Sequence, residues 1–151
     1  MPETRVKEFL DREHIKYVSI GHSPAFTAQE VAEAAHIPGR EIAKSVIVKV
    51  DDELAMVVVP ASEHVRLGIL KETLGAKKVE LASEAEFKKA FPDCETGAMP
   101  PFGNLYGMNV FVSQALREDD EIAFNAGSHS ELIRLTYADY ERLVHPTPLT
   151  N

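Results

Sequence analysis

The sequence predicts an α/β protein of the α+β type: a mixed, largely antiparallel central sheet with helices packed around it. Three observations carry that prediction. Apolar runs at 45–50 and 54–60 flank the turn-forming pair Asp51-Asp52, as in an antiparallel hairpin. Two capping boxes, Thr27-Ala28-Gln29-Glu30 and Ser83-Glu84-Ala85-Glu86, open helices by pairing a hydroxyl with a first-turn glutamate. Hairpins and helices then interleave without the regular strand–helix alternation of a parallel sheet.

Taken in order, Val6, Phe9 and Leu10 sit at helical spacing within residues 4–13. Residues 17–20 read as a strand closed by Gly21-His22-Ser23-Pro24. The helix begun by Thr27 stops near His36, before Pro38-Gly39. The run at 54–60 is almost continuously apolar, as for a strand covered on both faces. Residues 65–74 form an amphipathic helix ending at Gly75, and 77–81 a short strand. The second capping box opens a helix that Pro92 terminates. Strands follow at 108–112, 121–125 and 132–135, the first two separated by a polar turn at 117–120. Thr136 caps a closing helix to about Val144, and Pro146 and Pro148 mark a loose tail.

Composition narrows the function classes. With 44% hydrophobic and 26% charged residues, the chain reads as one globular domain over 1–151. Its 24 acidic against 16 basic residues leave a net charge of −8, which argues against coating DNA or RNA through phosphates. A small footprint on a nucleic-acid end remains compatible. The single cysteine, Cys94, excludes an internal disulfide framework and suits a cytoplasmic location. No apolar run approaches the roughly 18 residues that span a bilayer, and Met1-Pro2-Glu3-Thr4 is no signal peptide, so no membrane association is expected.

Gly97-Ala98-Met99-Pro100-Pro101-Phe102-Gly103 stands out. Adjacent prolines cannot sit in a helix interior or a central strand, and glycine permits close backbone approach. The segment is either a stiff connection or one wall of a pocket built from backbone atoms. Gly97 is expected to tolerate no side chain, and Gly103 to be more permissive. Lys44 heads a Val/Ile strand, either as a solvated strand-end lysine or as an ammonium held for a phosphate or a developing oxyanion. His129 lies in the turn Asn125-Ala126-Gly127-Ser128-His129, and His22 precedes the Thr27 helix; either could be an ordinary loop histidine. None of the six histidines has metal-ligand spacing, so neither a metal nor a cofactor is expected. No glycine-rich phosphate fingerprint or G-x-S-x-G elbow is present. Cys94 lies between Asp93 and Glu95, whose charge disfavours a thiolate, and reads as a bystander.

These pieces together resemble the YbaK family, relatives of the editing domain of bacterial prolyl-tRNA synthetases. The matching residues are His22-Ser23-Pro24 with the Thr27 helix, Ala43-Lys44-Ser45, Leu74-Gly75-Ala76-Lys77-Lys78-Val79, the proline loop and the 125–129 turn. The resemblance implies a YbaK-like fold and hydrolysis, in trans, of the ester joining a wrong amino acid to the 3′-terminal adenosine of a tRNA. It implies Lys44, Gly97 and His129 as the catalytic set. His22, Phe26, Ser45, Pro100, Pro101, Phe102, Gly127 and Ser128 would line the substrate site. The expected partner is the 3′ CCA end of a mischarged aminoacyl-tRNA, which an aminoacyl-tRNA synthetase or elongation factor could present.

Two departures bear on specificity. Ser45 follows the lysine where alanine-editing members resemble one another in carrying asparagine. The GAMPPFG loop differs from the GG-x-SPFG form of cysteine-directed members. The competing class is a non-catalytic homologue that keeps the pocket and binds an amino acid, a tRNA end or a synthetase.

Overall fold

The computed structural model describes residues 4–21, 35, 37–92, 94–95 and 98–149. The helix expected from Thr27, and the candidates His22, Phe26 and Gly97, lie outside the described residues. In chain order the elements are α1 (Thr4–Arg12), β1 (Val18–Gly21), β2 (Ala43–Val50), β3 (Glu53–Pro60), α2 (Leu67–Leu74), β4 (Val79–Leu81) and α3 (Glu84–Phe87). Then come β5 (Asn109–Ser113), α4 (Gln114–Arg117), β6 (Glu121–Asn125), β7 (Glu131–Thr136), α5 (Tyr137–Val144) and β8 (Thr147–Leu149).

The expected hairpin is β2 and β3, paired antiparallel from Ala43–Pro60 to Val50–Glu53. Asp51 and Asp52 both adopt positive φ, 48° and 71°, so the two-residue turn twists with the strands it joins. The Asp51 carboxylate also accepts from the amides of Lys77 and Lys78, which fixes the approach to β4. Beyond the hairpin, β5 pairs parallel to β3 and β8 parallel to β5, giving the order β4-β2-β3-β5-β8. A separate antiparallel sheet has the order β1-β7-β6. The mixed, mostly antiparallel character is as expected, but two sheets stand where one was predicted. An isolated parallel bridge, Ile42–Ala123, joins them.

β3 alternates between two buried faces, which accounts for its unbroken apolar run. Met56 and Val58 enter the main core with Leu10, Phe102, Phe124 and Tyr140. Ala55, Val57 and Val59 meet Val48, Leu70 and Leu149 under α2. Gly75 ends α2 in the left-handed conformation, φ 63°, with its amide and that of Ala76 returning to carbonyls of the last turn. The Ser83 capping box forms in both directions, at 2.7 and 3.2 Å, but drives only one α-helical turn before a 3₁₀ turn through Ala90.

One element is added to the expected set, and one expectation needs correction. The turn at 117–120 is preceded by a short helix, α4, whose start is capped by the Ser113 hydroxyl. The tail is not loose. Thr147–Leu149 forms the outer strand of the larger sheet, where Pro148 is tolerated because an edge strand can leave one side of its ladder unpaired. Among the described residues, no helix is long and apolar enough to cross a membrane.

Candidate functional site

Two loops distant in sequence are laced together. The Glu95 amide donates to the Gly127 carbonyl at 2.7 Å, and the Gly127 amide donates to the Ala98 carbonyl at 3.0 Å. The Glu95 carboxylate in turn accepts from the His129 amide at 2.8 Å. Residues on both sides of Gly97 are thus pinned to the turn holding Gly127, Ser128 and His129. Gly127 has φ 100°, a conformation side chains resist, so glycine is required there. His129 is only 8% exposed.

The proline loop continues from this clip into the core. Ala98, Met99, Pro100 and Pro101 are buried. The Pro101 carbonyl accepts from the Tyr140 hydroxyl at 2.7 Å. The Phe102 ring is fully buried and meets Phe124 and Tyr140, each with ring centres 5.4 Å away, so it packs as a core residue behind the loop. Gly103 is tightly enclosed: a Cβ there would lie 2.8 Å from Val110 Cγ2 and 3.3 Å from Met56 Cβ. The expectation that Gly103 is permissive is therefore reversed.

Lys44 opens β2 opposite Val59. The parallel Ile42–Ala123 bridge brings the start of β2 next to β6, the strand that leads into the laced turn. Burial pulls the Lys44 pKa below the ordinary lysine value, and the Glu63 carboxylate pushes partly back. Strand alternation sends Ser45 to the opposite face, toward Ala43 and Ile47 in the main core. Ser45 Oγ and Asn125 Oδ1 are both buried without a hydrogen-bond partner among the described residues.

Beside Lys44 on the α2 face lies a cavity of about 420 Å³. Val57, Val59 and Leu70 form its apolar part, and Glu63, His64 and Arg66 its polar part. Ser113, 2% exposed, donates to Glu63 at 3.3 Å. The sequence reading missed this cavity, because its lining comes from a strand, a loop and a helix with no motif among them. It also missed Glu95 as a loop anchor, seeing only a charge beside Cys94. Cys94 itself is half-buried, its sulfur 3.4 Å from the Tyr106 hydroxyl. Among the described residues, no group of three His, Cys, Asp or Glu is placed to hold a metal ion.

The chain belongs to the aminoacyl-tRNA editing domain family, which it matches over residues 22–143. It is 28% identical over 147 residues to the multifunctional Ser/Thr-tRNA deacylase ProXp-y of Escherichia coli (strain K12), covering 94% of this chain and 87% of that one. Over 88 residues it is 32% identical to the proline–tRNA ligase of Bacillus cereus (strain AH187), covering 58% of this chain and 15% of the ligase. The crystal structure of a candidate trans-editing enzyme for prolyl tRNA synthetase superposes with TM-score 0.83 at 21% identity, covering 99% of this chain and 95% of that one. That likeness confirms the expected fold.

Proposed function

We propose that this chain deacylates mischarged aminoacyl-tRNA in trans, hydrolysing the ester between a small polar amino acid and the 3′-terminal adenosine. The observation that carries the reading is the clip between residues 95–98 and 127–129, set beside Lys44 in a chain of the editing family. Water adds to the ester carbonyl, the carbonyl–ribose C–O bond breaks, and the ribose oxygen leaves with a proton. An aminoacyl ester is already activated, so orientation and stabilisation of the oxyanion matter more than a strong protein nucleophile. Gly97 lets the backbone approach the ester. Lys44 meets the phosphate or the developing charge. Proton transfer falls to His129 or to the neighbouring ribose hydroxyl.

The amino-acid class follows from one buried oxygen. Asn125 Oδ1, where the laced turn begins, has no partner among the described residues, and buried polar groups are ordinarily satisfied. A substrate with a polar group of its own would satisfy it, which favours serine or threonine, the amino acids in the name of the E. coli relative. With a net charge of −8 the protein grips the CCA end, not the tRNA body. A synthetase or elongation factor then presents the substrate, in the cytoplasm where tRNA is charged.

Release of free amino acid from a panel of mischarged tRNAs tests this. Seryl or threonyl esters on a non-cognate tRNA should be cleaved at least about tenfold faster than apolar ones, since sites built for a hydroxyl reject analogues lacking it. Binding of the panel without release of any amino acid would identify the non-catalytic homologue instead.

A further inference from the structure

We propose that the cavity between β3 and α2 binds a free amino acid with an apolar side chain, its ammonium on Glu63 and its carboxylate on Arg66. The cavity shares no residue with the laced loops, so the assignment stands apart from the deacylase reading.

Size and floor come first. A volume of about 420 Å³ falls in the range of roughly 300–1,000 Å³ that small-molecule sites occupy. Val57 and Val59 on β3 and Leu70 on α2 line it, and all three are almost wholly buried in the cluster under α2. Such a surface favours an aliphatic or aromatic side chain over a polar one.

Two opposite charges also line the cavity, and they do not satisfy each other. Glu63 and Arg66 lie three residues apart, yet no ion pair joins them to each other or, among the described residues, to any other group. Glu63 is fixed by the chain around it instead. Its amide donates to the Pro60 carbonyl at 3.0 Å, and its carboxylate accepts from the Ser113 hydroxyl at 3.3 Å. Ser113 is itself almost wholly buried at the end of β5, which anchors the carboxylate against the sheet. Arg66 stands at the N-terminus of α2, where the helix dipole also favours an anion. An alkyl amine would leave Arg66 without an anion, a fatty acid would leave Glu63 without a cation, and a phosphate would be repelled by Glu63. A zwitterion with an apolar side chain answers both charges and the floor.

L-Leucine is the probe, followed by amide chemical shifts on the full chain. Shifts should centre on residues 57–73 and on Ser113. Isocaproate, which lacks the ammonium, and isoamylamine, which lacks the carboxylate, should each bind about tenfold or more weakly than L-leucine, the size of one lost charge-assisted hydrogen bond. Glu63→Gln and Arg66→Met should weaken L-leucine to a similar degree. Glu63 is half-buried and Arg66 exposed, so both variants should fold, and melting curves check that they do. If either does not, the two analogues on wild-type protein still decide. No shifts at millimolar L-leucine, or shifts confined to 125–130, would overturn the assignment. So would equal affinity for either analogue, or unchanged affinity in both folded variants. Binding is read without turnover, so the outcome does not depend on whether the chain cleaves mischarged tRNA.

Discussion

The Glu95 carboxylate accepts the main-chain amide of His129 at 2.8 Å, joining two loops 34 residues apart. Each loop carries a proposed catalytic position, Gly97 on one and His129 on the other. The hydrogen bond is therefore a spacer that sets where the two meet.

Glu95→Ala should uncouple the loops. The Glu95 and Gly127 amides keep their partners, so the fold should survive, but the carboxylate contact that fixes His129 is lost. A shift of about 1 Å near reacting atoms can cost on the order of a hundredfold in rate. Glu95→Gln retains an oxygen acceptor and should recover most of that loss. Single-turnover deacylation of the two variants beside their melting temperatures checks this; equal, wild-type rates in both would show that the contact is incidental.

Lys44→Met should abolish deacylation while leaving stability level or slightly improved at neutral pH. The folded-state pKa of Lys44 lies below its unfolded value, mainly through burial. The desolvated ammonium therefore opposes folding at low and neutral pH, and that opposition is relieved as pH rises through the folded pKa toward the unfolded value of about 10.4. The stability gap between variant and wild type should accordingly narrow above about pH 10. The effect is small, because Lys44 is only half-buried and Glu63 offsets part of the burial cost. Melts at pH 7 and above pH 10, with activity at pH 7, test both parts. A folded variant with full turnover would remove Lys44 from the mechanism.

The loop glycines should separate activity from stability. At Gly103 an added methyl would sit 2.8 Å from Val110 Cγ2, inside the core, and overpacking of this kind costs about 1–3 kcal/mol. Gly103→Ala should melt well below wild type and lose activity only as it unfolds. Gly97→Ala should melt near wild type and still fail to turn over, since its proposed role is backbone approach to the ester. If Gly97→Ala is fully active, the proline loop is only a stiff connection.

How far the sequence could be read follows from what each feature depends on. The β2–β3 hairpin, the Ser83 box, the Gly75 stop and the Thr136 cap depend on residues within a turn of one another, and all form as expected. The separation into two sheets depends on one bridge, Ile42–Ala123, between residues 81 apart, and no local pattern encodes it. Ser45 and Phe102 could be placed near the site by their motifs, but the face each side chain takes is set by strand register and by the rings around it. Pro146 and Pro148 misled, because proline ordinarily marks a chain leaving structure; here it marks a sheet edge.

That edge supplies the last prediction. Residues 147–149 pair with Phe111, Val112 and Ser113 of β5, and Leu149 is 8% exposed in the cluster beneath α2. Leu149→Ala removes apolar contact from that cluster and should destabilise the fold by about 2 kcal/mol, the low end for a buried leucine because the strand lies at the edge. Deleting residues 146–151 does more. It strips the same contacts and also bares the backbone amides and carbonyls of β5, a strand with apolar side chains on both faces. An unprotected strand of that kind is a template for pairing with other chains, so the truncated protein should melt lower than Leu149→Ala and shift toward larger species. Melting curves and light scattering of the three proteins at matched concentration give the answer. A truncated chain that melts with wild type and keeps its size distribution would mean that the last strand contributes nothing, and that the tail is as loose as its prolines suggest.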